Sequence, residues 1–332
     1  MISILTLVCV AVIGALVYIS RYCYQWILNT WFYKEGIISY DFFFKNFIQV
    51  VSKDNYCMNY GLWDQKPSTL IEANMALIHR ILEKTDVQAK HSKYILDVGC
   101  GYGQQDIEWA KVLDPSCKIM AVDISESQIQ NARKRSQDLS GTIRFEVCDA
   151  QEIDIQFQGH RFDAIISVES AFHYPDRPKF FKAAHTLLSP DGTFVICDLM
   201  LKPDYVPTFA SGLFLQIFSD FLAIPKANLI KPAQWEQDIK AAGFEIVEFE
   251  DLTEKTFAPY YIHVFDVYTK TIGLPRVFNS ILDHLFNSVQ PFSYRLAVCR
   301  PQGIRSTSSD SPNLSESRAD SVSISISPPV TE

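Results

Sequence analysis

No Cys-x-x-Cys pair occurs among the eight cysteines of this chain, Cys9, Cys23, Cys57, Cys100, Cys117, Cys148, Cys197 and Cys299. That scatter speaks against a zinc site or a disulfide frame and for buried free thiols in a reducing compartment. No basic patch relieves a formal charge of −8. A nucleic-acid partner is therefore not expected, since phosphate binding shows as clustered Lys and Arg. No basic residue precedes the apolar run from Ile2 to Ile19 and no Ala-x-Ala site follows it, so a cleaved signal peptide fits poorly. The dinucleotide fingerprint lacks its third glycine, because the position it needs holds Gln104. A bound pyrophosphate is not expected.

What is present is ample apolar material. Of 332 residues, 48% are hydrophobic, enough for a full core in one large α/β domain with appendages. The run from Ile2 to Ile19 bears no charge and closes on Arg21, with Tyr22, Tyr24, Trp26 and Trp31 beyond it. Such a length is about enough to cross a bilayer, and the aromatics fall where an interfacial belt would lie. The expectation is an uncleaved transmembrane anchor and interfacial segment over 1–31, in a single-pass membrane protein. A buried or interfacial hydrophobic helix is the other reading of the same residues. Arg21 and Lys34 follow the run, which puts the bulk of the chain in the cytosol, with the endoplasmic reticulum as the expected membrane. Residues 303–332 are dominated by Ser, with Asp, Glu and Pro. They have little to bury, so a disordered tail is expected.

Between these ends, residues 94–103 read Tyr-Ile-Leu-Asp-Val-Gly-Cys-Gly-Tyr-Gly and run into a helical pattern over 104–112. A strand, a glycine turn and a helix start let backbone approach a nucleoside closely. Asp97 puts a carboxylate just before the turn, where it can hold an ammonium or a water network. Residues 118–122 read as a second strand ending in Asp123, placed to accept both ribose hydroxyls. Ser125 to Gln128 fits a capping box that opens a helix through Arg135. A third strand over 143–147 leads to Cys148-Asp149-Ala150. A fourth, over 162–168, ends in Glu169-Ser170-Ala171-Phe172-His173-Tyr174-Pro175-Asp176-Arg177. After a helix and a Ser-Pro-Asp-Gly turn, 193–197 makes a fifth strand ending in Asp198. Strands from Phe244 and from Phe292 complete seven.

The Asp-x-Gly-x-Gly-x-Gly turn resembles the first motif of class I S-adenosylmethionine-dependent methyltransferases. Asn59-Tyr60-Gly61-Leu62-Trp63, the Glu-Ser-x-x-His-x-Pro-Asp-Arg stretch from Glu169, the Ser-Pro-Asp-Gly turn and Asp251-Leu252-Thr253 resemble segments of its sterol, tocopherol and sugar O-methylating small-molecule group. The resemblance implies a Rossmann-like seven-stranded sheet with helices on both faces over 91–302, after a helical lead-in or cap at 32–90 and with a substrate lid at about 199–231. It implies S-adenosylmethionine as cofactor and no metal. Asp97, Gly99, Cys100, Gly101 and Gly103 would serve its methionine end, Asp123 and Ile124 the ribose, and Asp149 and Ala150 the adenine. Tyr60 and Trp63 would lie over the cofactor and, with Phe172 and Tyr174, shape the acceptor pocket.

A sulfonium already makes its methyl group electrophilic, so the protein must chiefly align donor and acceptor. A base is needed only where the acceptor has a proton to lose. His173 has the ordinary pKa and the place for it, Asp198 at the adjoining strand end could orient its ring, and Glu169 completes the expected catalytic set. The plain alternative is that His173 only hydrogen-bonds loop backbone. The greasy lid segment, with Phe209, Leu213, Phe214 and Phe218, suggests a small hydrophobic or lipid-like acceptor, methylated on O, N or C. No Asn/Asp-Pro-Pro-Tyr/Phe motif follows the fourth strand, which disfavours protein or RNA as acceptor. A cofactor-binding scaffold without turnover is the remaining alternative.

Overall fold

The computed structural model describes residues 33–34, 37–38, 48–87, 93–271 and 290–303. The expected anchor and the Ser-rich tail lie outside the described residues. Among the described residues, no helix is long and apolar enough to cross a membrane.

Seven apolar runs bounded by turns build one sheet. They are β1 (Tyr94–Val98), β2 (Lys118–Asp123), β3 (Ile143–Val147), β4 (Phe162–Val168), β5 (Leu188–Leu201), β6 (Phe244–Asp251) and β7 (Phe292–Pro301). Their spatial order is β3-β2-β1-β4-β5-β7-β6. The first five are parallel, and β7 runs antiparallel between β5 and β6. β1 sits between β2 and β4, with Ile95 opposite both Ile119 and Ala164. The chain leaves β1 on one side through β2 and β3, then returns to the other side at β4. Beyond the carboxyl ends of β1 and β4 lies the crevice where such sheets bind ligands.

Side chains alternate across each parallel strand, as the period of two requires. Ile95 enters one apolar cluster and Leu96 and Val98 the other, and in β5 Val195 and Cys197 oppose Phe194 and Ile196. Helices cover both faces. On the first lie α1 (Leu70–Glu83), α2 (Gln104–Val112), α3 (Glu126–Arg135) and, further along the chain, a helix over Thr253–Thr271; on the second lie α4 (Arg177–Leu187) and a helix over Pro232–Ala241. Between the last two β strands' predecessors, α5 (Phe209–Phe221) follows β5 and rests on the first cluster through Phe214, Leu215 and Phe218. The Pro232–Ala241 helix is α6 and the Thr253–Thr271 helix is α7. The six described cysteines, from Cys57 to Cys299, are buried free thiols.

The strand limits expected at β3 and β4 coincide with those observed, while β5 is longer than expected. It runs from Leu188 through the Ser-Pro-Asp-Gly stretch, with a register shift opposite Phe162 and Ala164. The capping box expected at Ser125 is absent. Ser125 Oγ meets Ser127 Oγ at 3.0 Å and makes no cap hydrogen bond, and the Ser125 N–H that Gln128 would take donates to Asp123 at 2.9 Å. True capping boxes open α1, at Thr69 and Glu72, and α5, at Thr208 and Ser211. Nor does the lead-in form a layer of its own. Leu70, Leu77 and Ile81 share the core of the sheet's first face, and the Trp109 indole of α2 donates to the Ile78 carbonyl at 2.9 Å.

Candidate active site

The turn after β1 is shaped by its glycines. Gly99, Gly101 and Gly103 all take positive φ, at 83°, 57° and 68°, where a side chain is strained. A Cβ on Gly99 would stand 2.3 Å from the Ser170 side chain, and one on Gly103 2.5 Å from the Phe145 ring. Gly101 differs. A Cβ there would meet nothing nearer than Gln128 Oε1 at 3.7 Å, and its amide donates to Asp123.

Two acids support this turn from below and one from beside it. Asp97 is fully buried and accepts a hydrogen bond from Gln105 Nε2. Asp106, also fully buried in the first turn of α2, hydrogen-bonds Asp97. A bond between two carboxyls needs one proton. Burial raises both acids, Asp97 to about 7 and Asp106 well above the usual range, with Asp97 itself holding Asp106 up. Asp106 therefore carries the shared proton. Asp123, at the end of β2, accepts the Gly101 amide at 3.0 Å on one oxygen and the Ser125 amide on the other. Burial raises its pKa, and the backbone N–H groups oppose that.

A cavity of about 440 Å³ opens above the strand ends, within the usual range for small-ligand sites. On one side it is lined by Gly99, Asp123, Ile124, Cys148, Asp149 and Ala150, and on the other by Ser170, His173 and Tyr174. The structure thus brings the residues expected for ribose and adenine together with His173 and, of the four expected at the acceptor pocket, Tyr174 alone. Asp149 caps the short helix that follows it, taking the Gln151 amide at 2.8 Å. Sequence reasoning passed over Gln151, Ser219, Asp220 and Ala223, which also line the cavity. Gln151 carries a local signal, since its side chain bridges Asp149 and the Asp176 amide. The α5 residues carry none, because they arrive from a distant helix.

Several expected residues lie elsewhere. Asp97 sits beneath the turn, and Cys100 is buried behind it. Phe172 is 3% exposed and packs in the core. Tyr60 is the hub of an aromatic cluster with Phe257, Tyr260, Tyr261 and Tyr294, ring centroids 4.9–6.1 Å apart. The Trp63 indole donates to the Tyr60 carbonyl at 2.9 Å and packs on His263. Neither Tyr60 nor Trp63 lines the cavity described.

The expected pairing of Asp198 with His173 does not form. Asp198 is fully buried and its Oδ2 accepts from Arg177 and from the Trp235 indole, each at 2.9 Å, while Oδ1 takes its neighbour's amide. Arg177 closes the Pro-Asp-Arg stretch, so those residues bolt α4 to β5 by a buried ion pair. His173 instead hydrogen-bonds the backbone of Leu222 and Ala223 at the end of α5, and burial holds its pKa down at about 4. Its imidazole is neutral and ties the strand-end loop to the helix above.

Glu169 behaves otherwise: it adjoins Ser170, which lines the cavity, but is not itself among the lining residues. It takes a left-handed φ of 52°, a strained conformation that clusters at functional sites. Its carboxylate accepts the Tyr60 amide at 2.9 Å and the Tyr294 hydroxyl at 2.8 Å. Burial raises its pKa to about 8 against the pull of those two bonds.

The family described as a methyltransferase domain matches residues 89–216. Erythromycin 3''-O-methyltransferase of Saccharopolyspora erythraea is 27% identical over 61% of this chain and 66% of its own length. Phosphoethanolamine N-methyltransferase 1 of Arabidopsis thaliana is 30% identical over 50% of this chain and 31% of its own. Residues 89–216 thus carry a methyltransferase domain of the class I S-adenosylmethionine-dependent kind. A structure of geranyl diphosphate methyltransferase in complex with SAM shares the fold at a TM-score of 0.57 and 16% identity, covering 74% of this chain and 99% of that one. This methyltransferase thus spans two thirds or less of the two curated relatives' lengths, while the solved chain is covered almost whole.

The residues present fit an adenosyl cofactor. Gly99 lines the cavity, where a Cβ would press into Ser170. Each Asp123 oxygen accepts one backbone amide and keeps acceptor capacity for a diol.

Proposed function

We propose that this methyltransferase transfers the methyl group of S-adenosylmethionine to a small hydrophobic or lipid-like acceptor at a membrane. The observation that carries this reading is the roof of the cavity. Ser219, Asp220 and Ala223 of α5 and its end face the donor strand ends, while Phe214, Leu215 and Phe218 of the same helix join the core. The two α5 side chains on the cavity are polar, and the rest of the helix is largely apolar. The apolar run from Ile2 to Ile19 supports the membrane setting, and the names of the two relatives place methyl groups on oxygen and on nitrogen.

In this reading Asp123 and Ile124 hold the ribose, Asp149, Ala150 and Gln151 the adenine edge, and the Gly99 turn above Asp97 the methionine end. The bound cofactor supplies a methyl already made electrophilic by its sulfonium. Glu169 then serves as the proton acceptor for an acceptor that has a proton to lose. A base works best with a pKa near the operating pH. Glu169 at about 8 meets that condition, and His173 at about 4 does not. His173 fixes the lid, and Asp198 holds α4.

Purified protein incubated with methyl-labelled S-adenosylmethionine and a total lipid extract tests the reading. Label in the lipid fraction is the expected result. Label in protein would move the acceptor to a macromolecule, and cofactor binding without any transfer would leave a scaffold.

A further inference from the structure

α5 has a second face. Its inner side packs on the core and walls the cavity, as described. Its outer side carries Phe209, Leu213 and Ile217, which are 91%, 51% and 44% exposed, and Val206 just before the helix is 74% exposed. Positions 209, 213 and 217 are four apart and form one stripe along the helix. The only charged residue of α5, Asp220, lines the cavity instead. Gln216, exposed beside the stripe, donates to Asp220 at 3.5 Å, so the end of the helix is polar, while the stripe from Phe209 to Ile217 itself carries no charge and faces outward.

We propose that the outer stripe of α5 lies in the surface of a lipid bilayer, so that the helix roofing the cavity also seats the protein on the membrane that holds its acceptor. The proposal rests on the membrane setting of the function proposed above and adds the surface that makes the contact. Three observations favour lipid over other occupants. Four apolar side chains fall short of the about 800 Å² per partner that a specific protein interface buries, so a second copy is poorly served. Phe209 and Val206 stand almost free of their neighbours at the start of the helix. Such side chains suit insertion among acyl chains better than a flat complementary surface. The chain also holds an uncharged run, Ile2 to Ile19, of bilayer-spanning length outside the described residues. With that run in the bilayer, a second apolar element on the roof would set the cavity mouth toward lipid.

The test uses the full-length protein in phosphatidylcholine vesicles doped with a phosphatidylcholine that bears a diazirine in its acyl chain. After irradiation, lipid adducts are mapped by mass spectrometry. The expected map has adducts within 206–217 as well as in the N-terminal run. In Phe209→Ser/Leu213→Ser the first set is lost and the second remains, with the melting curve unchanged. Adducts confined to the N-terminal run would overturn the proposal. So would chemical cross-links joining α5 to α5 of a second copy, or joining α5 to residues 2–19. The map reads contact independently of catalysis. Adducts on α5 without label transfer to lipid would support the docking face and count against the proposed acceptor. Transfer to lipid without those adducts would do the reverse.

Discussion

The donor side of the cavity and the Glu169 cluster next to it are built over different reaches of chain. On the donor side, the Asp123 carboxylate meets the Gly101 amide across 22 residues, and Asp149 caps the turn that immediately follows it. In the cluster, Glu169 is held by the Tyr60 amide from 109 residues away and by the Tyr294 hydroxyl from 125. Local contacts leave a signature in consecutive residues, whereas long-range ones do not. The donor side is accordingly legible as a short motif, and the Glu169 cluster depends on how the lead-in, β4 and β7 meet.

The largest effect is expected beneath the acceptor side. Arg177→Met leaves the buried Asp198 without its cation, held only by the Trp235 indole and the Leu199 amide, which costs about 3–5 kcal/mol. Denaturant titration should show the midpoint falling by a corresponding amount, and a loss under about 1 kcal/mol would mean the pair is not a main support of α4. On the donor side, Gly99→Ala combines a φ of +83° with a contact of 2.3 Å to Ser170. It should cost about 1–3 kcal/mol and abolish cofactor binding by titration calorimetry. Intact binding would mean that the turn yields more than its geometry suggests.

Much of the donor side was legible because its residues announce themselves. The three positive-φ glycines, Asp123 at a strand end and the limits of β3 and β4 all follow from local pattern. Asp106 escaped notice because an acid in the first turn of a helix reads as a favourable partner of the helix dipole. Only burial against Asp97 reveals it as half of a proton-sharing pair. Similarly, the chain order of Glu169, His173 and Asp198 suggests a base and its orienting acid. What it hides is that Arg177 and Trp235 claim Asp198 and that α5 claims His173. The seven strands were readable, but the lead-in's place in the shared core depends on contacts such as Trp109 with Ile78.

A smaller effect separates the buried acids by pH. Asp97 rises from its ordinary 3.8 to about 7 in the folded protein, so folding favours its protonated form. The stability this confers is complete below about pH 4 and is lost as pH rises through about 7. Asp106→Ala removes the proton donor that favours the Asp97 carboxylate, so the Asp97 pKa rises further and thermal melts should show the decline continuing to higher pH than in the unaltered protein. An unchanged decline would mean that the two acids do not share a proton. The smallest effect is expected at His173. His173→Gln should lower transfer by less than about tenfold, against the about 10²–10⁴ that a general base contributes. Because its pKa is depressed to about 4, it should also lessen the stability lost as pH falls from 6.5 toward 4.

The comparison turns on Glu169, the strained residue that joins the sheet to the acceptor side. Glu169→Gln keeps the size and the hydrogen-bonding oxygen of the side chain but removes its capacity to take a proton. Cofactor affinity and methyl transfer should be measured on one preparation of this variant, with the acceptor fraction identified from the lipid extract. The account predicts unchanged affinity and transfer reduced by about 10²–10⁴. Transfer at the unaltered rate would contradict it, and so would a parallel loss of cofactor binding, which would place Glu169 on the donor side.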